Sequence, residues 1–185
     1  QFERLLALLS EYEYVHDWEL LEKGQVLSRI NSEADIVICE LITSGELVKL
    51  SAPELAGLLS AFVFEGRGDS STRFNTFPSD ELERLCIASE KFIEKFNRDE
   101  REAGIKESRG LDYSMMFGTY LWAKGKPLDE ILANQDITGG DFVRVIKSIV
   151  DLVRQIENAT SDEALGAICR ATKKACYRDI VEISS

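Results

Sequence analysis

The sequence predicts an all-α protein, a helical bundle of about seven to nine helices. Three observations carry this expectation. Apolar residues recur at three- and four-residue steps in one stretch after another, the spacing that gathers them on one face of a helix. Helix starts carry capping residues, most fully at Ser51, Ala52, Pro53 and Glu54, where a serine, an early proline and a third-position glutamate coincide. No segment alternates apolar and polar residues for long, so no half-buried strand is expected. At 185 residues, 44% hydrophobic and 30% charged, the chain has a globular composition and can bury roughly 70% of the surface its unfolded form exposes.

Residues 2–9 read as a short apolar helix, and Tyr12, Tyr14 and Trp18 follow it among acidic neighbours. Packing is the expected role of these rings, because the acids would repel the phosphates of a base-stacking partner. Residues 1–19 are read as a helix and connection from an upstream region, and 20–185 as the bundle proper. Ser32 is expected to open a helix through Ile36, Val37, Cys39 and Ile42 that Gly45 ends. The helix after Ser51 buries Leu55, Leu58, Leu59, Phe62 and Val63. Residues 66–78 have turn composition and read as an exposed loop, and the Arg67, Gly68, Asp69 triplet within it is loop chemistry rather than an adhesion signal.

Ser79 with Asp80 and Glu81 caps the longest helix, striped by Leu82, Leu85, Cys86, Ser89, Phe92, Ile93 and Phe96. Its charged end after Asn97 is expected in solvent, with breaks at Gly104 and at Ser108, Arg109 and Gly110. A helix carrying Met115, Met116, Tyr120, Leu121 and Trp122 stops at Gly125 and Pro127, and a short one runs through Leu128, Ile131 and Leu132. After Asn134, Gln135, Asp136, Ile137 and Thr138 comes the stretch around which the rest is expected to be arranged. Gly139, Gly140 and Asp141 are expected to supply a turn and an N-cap. Behind them Phe142, Val145, Ile146, Ile149, Val153 and Ile156 form one apolar face, and Arg144, Lys147, Ser148, Asp151 and Arg154 or Gln155 form the other. An ordinary surface helix has the same pattern. The last helix follows Thr160 and Ser161, with Leu165, Ile168, Thr172, Ala175 or Cys176, and Ile180 inside. Arg170, Lys173, Lys174 and Arg178 lie outside as a basic cluster.

Charge and residue counts exclude several functions. The net charge of −11 argues against a generic polyanion binder, since phosphate contacts need Lys and Arg. Residues 139–185, however, hold seven basic and seven acidic side chains, so the acidic surplus lies in residues 1–138. A local cationic face is possible only near the C-terminus. Cys39, Cys86, Cys169 and Cys176 lack CxxC spacing and read as buried free thiols of a reducing cytoplasm. Cys169 and Cys176 share a helix face, but two cysteines do not make a zinc site. A single histidine, His16, removes multi-histidine metal sites and weakens any Ser-His-Asp proposal. No P-loop is present, and no nucleophile or metal ligands converge. Glu40 and Glu65 are the carboxylates that could pass for an acid–base pair. No apolar run approaches the ~20 residues that span a bilayer, so no membrane partner is expected. The chain starts at Gln1 rather than Met, and is expected to be a piece of a longer protein.

Several blocks occur together in one order: Gly24 to Asn31, Glu40 to Ile42, Leu58 to Glu65, Trp122 to Gly125, Gly140 to Arg144, and Arg178 to Ile180. In that order they resemble the DSHCT domain, the C-terminal helical bundle of superkiller and Mtr-type DExH-box RNA helicases, and most of all its actinobacterial HelY-type members. The resemblance runs from about Leu20 to Ile183, and the Leu58 to Glu65 block is its most specific part. It implies a non-catalytic accessory domain, with no cofactor of its own and with ATP and Mg in a helicase core of the same chain. It also implies a "ratchet" helix touching translocating single-stranded RNA, falling on the stretch after Gly139. Family members tend to follow the central Lys with Arg and to place an acid three residues further on; here Ser148 and Asp151 stand there. Arg144, Lys147, Ser148, Asp151 and Arg154 are the implied strand contacts. Trp122 is either a core ring or a base platform, and its neighbours Tyr120 and Leu121 favour the core. The alternative function is a scaffold that docks on the helicase core or recruits a nuclease.

Overall fold

The computed structural model describes residues 2–66, 76–133, 137–179 and 181. Arg67, Gly68 and Asp69, Asn134, Gln135 and Asp136, and Ile180 lie outside the described residues. Among those described, the helices are α1 (Phe2–Glu11), α2 (Glu22–Leu27), α3 (Asp35–Thr43), α4 (Ala52–Val63), α5 (Asp80–Glu102), α6 (Met116–Ala123), α7 (Leu128–Leu132), α8 (Gly139–Ala159) and α9 (Glu163–Cys176). They form the all-α bundle that the spacing predicts. The one departure is a small antiparallel hairpin of β1 (Val15–His16) and β2 (Glu19–Leu20), with Val15 opposite Leu20. Strands of two residues are too short to carry a period, and Asp17 and Trp18 between them turn the chain at φ 45° and 70°.

The bundle is organised around α4, whose Leu55, Ala56, Leu58, Leu59, Ala61 and Phe62 are buried nearly all round by α5, α6, α8 and α9. A helix apolar on every side belongs in the middle. Its start is tied to that of α5 by Glu54. This carboxylate accepts from the Ser51 backbone N–H (2.7 Å) and hydroxyl (2.6 Å), and from the hydroxyl of Ser79, the N-cap of α5 (2.5 Å). Burial pushes the carboxyl of Glu54 up, but these hydrogen bonds outweigh it and hold its pKa below the usual value.

The aromatic stretch after α1 packs as expected at two of its three positions. Tyr14 is fully buried and donates to Glu40 (2.7 Å), while Lys23 pairs with Glu40 and sits 4.7 Å from the Tyr14 ring centre. Tyr12 donates to Asp99 (2.5 Å) and meets Phe92 and Phe96 edge-on. α2 can approach this closely because position 24 is glycine: a Cβ there would lie 2.1 Å from the Tyr14 carbonyl oxygen. Trp18, by contrast, is 75% exposed.

Four expectations of local detail are corrected. α3 starts at Asp35, and the Ser32 hydroxyl only accepts from the Ala34 N–H ahead of it. The charged end of α5 does not run wholly into solvent, because Glu100 is buried and accepts from the Ser108 N–H (2.6 Å) and hydroxyl (3.1 Å), folding the next segment back. The N-cap of α8 is Thr138, whose hydroxyl accepts from the Asp141 N–H; Gly139 and Gly140 are its first helical residues, and Asp141 sits in its first turn. The basic residues of α9 are not a free cluster. Arg170 and Lys173 pair with Glu157 on α8, while Arg178 lies 3.6 Å from the Trp122 ring centre and donates to the carbonyls of Trp122 and Lys126.

Trp122 is a core ring, 1% exposed, donating from Nε1 to the Cys176 carbonyl (3.0 Å) and meeting Phe142 edge-on. All four cysteines are buried and unpaired; burial pushes the Cys39 thiol up to about 11 and those of Cys86, Cys169 and Cys176 up to about 12. No helix among the described residues is long and apolar enough to cross a membrane.

Candidate nucleic-acid interface

α8 is buried more deeply than its simple stripe predicts. Val150 and Leu152 join Phe142, Val145, Ile146, Ile149, Val153 and Ile156 in the core, because α4 and α9 close on it from two sides. What remains outside is a narrow ridge that forms one wall of an open cleft of about 470 Å³. Arg144, Lys147, Ser148, Asp151 and Gln155 line that wall. Asn31, Ser32 and Glu33 from the α2–α3 connection and Arg109 from the α5–α6 connection line the rest, with Phe62, Val63 and Leu152 as an apolar floor.

Four of the five expected contact residues therefore share the cleft, and Arg154 does not. It is exposed and lies within about 20° of Lys147 around the helix, but two turns, about 10 Å, further along it. The others differ in readiness. The Arg144 side chain is 78% exposed, with a 3.3 Å contact to Asp141 one turn earlier. Ser148 donates back to the Arg144 carbonyl (3.1 Å), which ties its hydroxyl to its own helix. Asp151 accepts from Gln155 Nε2 (2.8 Å), and Gln155 Oε1 accepts from the Asn31 N–H (2.6 Å), so these residues hold the mouth of the cleft together.

Sequence reasoning missed Arg109 as a cleft residue. Its guanidinium donates to the Phe62 carbonyl at the end of α4 (2.6 Å) and approaches Glu65 (3.5 Å) and Glu33 (3.8 Å). Nothing in the helix-breaking Ser108, Arg109, Gly110 run marks it, since its role depends on which helix end that connection is folded against. The cleft thus holds three cations, Arg109, Arg144 and Lys147, against the carboxylates of Glu33 and Asp151. A nearly balanced cleft with an apolar floor suits weak, sequence-tolerant contacts to a phosphodiester strand rather than tight anion capture. Glu40 is bound to Tyr14 and Lys23 while Glu65 faces Arg109, so the two are not a pair. No group of three or more His, Cys, Asp or Glu among the described residues is arranged to hold a metal ion.

The model of the family described as the DSHCT (NUC185) domain matches residues 17–184. The chain is 31% identical to the probable helicase HelY of Mycobacterium tuberculosis over 193 residues, covering 97% of this chain and 21% of that protein. It is 29% identical to the antiviral helicase SKI2 of Saccharomyces cerevisiae, covering 100% of this chain and 15% of that one. To the ATP-dependent RNA helicase mtr4 of Schizosaccharomyces pombe it is 25% identical, covering 86% and 15%. The chain thus spans about a fifth of the HelY relative's length, and less of the other two.

Proposed function

The chain belongs to the DSHCT family, and on that premise we propose that it is the C-terminal accessory bundle of an ATP-dependent RNA helicase of superfamily 2 and guides single-stranded RNA along the α8 cleft. In this reading residues 20–185 are the bundle and residues 1–19 its connection to the preceding part of a longer, cytoplasmic protein. ATP and Mg would act in the helicase core of that protein. The bundle would steer the strand without breaking a bond. The observation that carries the reading is the ridge of Arg144, Lys147, Ser148 and Asp151, anchored by a buried face and turned into an open cleft.

The test is fluorescence anisotropy of labelled single-stranded RNA titrated with this chain at two salt concentrations, beside the Arg144→Ala/Lys147→Ala variant. Binding that weakens with salt and with the variant supports strand guiding. Binding indifferent to both counts against it.

A second reading, docking on the helicase core or on a partner such as a nuclease, is favoured by a different surface. Phe2 and Leu5 on α1, Trp18 and Leu20 on the hairpin and Leu21 just after it are exposed, and Phe2 and Trp18 stack at 6.2 Å. Exposed aromatic and aliphatic side chains so grouped are the mark of a contact surface.

A further inference from the structure

We propose that Arg109 is a second phosphate contact, facing the α8 ridge across the cleft and covered by two surface carboxylates until a strand displaces them. The inference rests on the strand-guiding reading. The Arg109 side chain is 21% exposed, and its bond to the Phe62 carbonyl fixes the guanidinium against the end of α4. Its other donors are poorly used. Nε is buried without a hydrogen-bond partner, Glu33 standing off at 3.8 Å, and Nη1 reaches Glu65 only at 3.5 Å. With Nε buried, the donor open to exchange is Nη1, held only by a long contact to an exposed carboxylate.

The two carboxylates are loosely held, with Glu33 75% and Glu65 72% exposed. Ion pairs so exposed contribute little, so moving them aside costs little. A phosphate oxygen entering the cleft takes the place of Glu65 on Nη1 and turns a long contact into a short charge-assisted one. Arg144 and Lys147 then meet the strand from one wall and Arg109 from the other. In the empty cleft the same carboxylates neutralise Arg109, which keeps the grip weak and lets the strand move on.

The experiment is a binding cycle with a short labelled oligouridylate. Arg109→Gln is expected to weaken binding about tenfold and to flatten the slope of log affinity against log salt by about 0.7, the loss of one phosphate contact on a single strand. Glu33→Gln/Glu65→Gln leaves the Phe62 bond in place and is expected to tighten binding about threefold in the wild-type background, an exposed-pair effect, and not at all beside Arg109→Gln. Arg109→Lys, which retains the charge, is the substitute should Arg109→Gln unfold by circular dichroism; it is expected to retain the salt slope. Equal tightening with and without Arg109 would overturn the inference, since it would reduce the carboxylates to general repulsion. Binding that needs Arg144 and Lys147 but ignores Arg109→Gln sinks this inference alone. No salt-sensitive binding at all sinks the strand-guiding reading and takes this inference with it.

Discussion

Two helices carry nearly all the cations of the C-terminal quarter, and they use them in opposite ways. On α9 and just beyond it, Arg170 and Lys173 are spent on Glu157, and Arg178 on the Trp122 ring and two carbonyls. On α8, the 78% exposed Arg144 stands in the cleft with its contact to Asp141 confined to its own helix, and Lys147 lines the same wall. From charge alone the cluster around α9 looks the better nucleic-acid face. The difference is made by the carboxylates and carbonyls that the fold brings opposite each cation, which no charge count contains. Arg170, Lys173 and Arg178 therefore tie one element of the bundle to another, while Arg144 and Lys147 line an open cleft.

The sharpest way to break this contrast is Arg178→Ala. It removes a ring stack and two charged hydrogen bonds, and is expected to cost about 2 to 3 kcal/mol of stability in chemical denaturation. The RNA affinity of the folded fraction should not change. The opposite result, unchanged stability with lost affinity, would return α9 to the binding face. Arg144→Ala/Lys147→Ala should behave in reverse, with stability altered by less than about 1 kcal/mol and RNA affinity lowered about tenfold, or ~1.4 kcal/mol. Ser148→Arg, which adds a cation to the cleft wall, is expected to tighten binding a few-fold and to steepen the salt slope by about 0.7; a flat response would place position 148 away from the strand.

The smallest effect expected is a pH dependence on the α9 side. The Lys173 hydrogen bond, opposed by some burial and helped by Arg170, holds Glu157 below the usual carboxylate range. A folded-state pKa below the unfolded one stabilises the fold above about 4.3, and this contribution is lost as pH falls through the folded value. Glu157→Gln should therefore flatten the acid side of the melting-temperature profile slightly. A variant profile parallel to wild type throughout would show that the pairing adds nothing.

The elements legible in the sequence are those whose signal is local. Ser51 with Glu54, and Ser79, mark their helix starts because a cap is satisfied within three residues. The buried stripe of α8 is read from its own period. What the sequence hid is long-range or very short. The burial of Glu100 depends on Ser108 folding back, the hairpin at Asp17 and Trp18 is too brief to show a period, and Arg109 joins the cleft only because its connection meets the end of α4. Four of five expected strand contacts reached the cleft because one helix face carries them together. Arg154, nearly in line with Lys147 but two turns further along the same helix, did not.

The buried state of the four cysteines opens a route to chemical reporters. With every native thiol enclosed and protonated near neutral pH, a maleimide dye would find a cysteine introduced on the surface and leave the others alone. Asp151→Cys would carry that dye in the cleft and Arg154→Cys just outside it. The pair would form a matched optical gauge of whatever passes along the ridge.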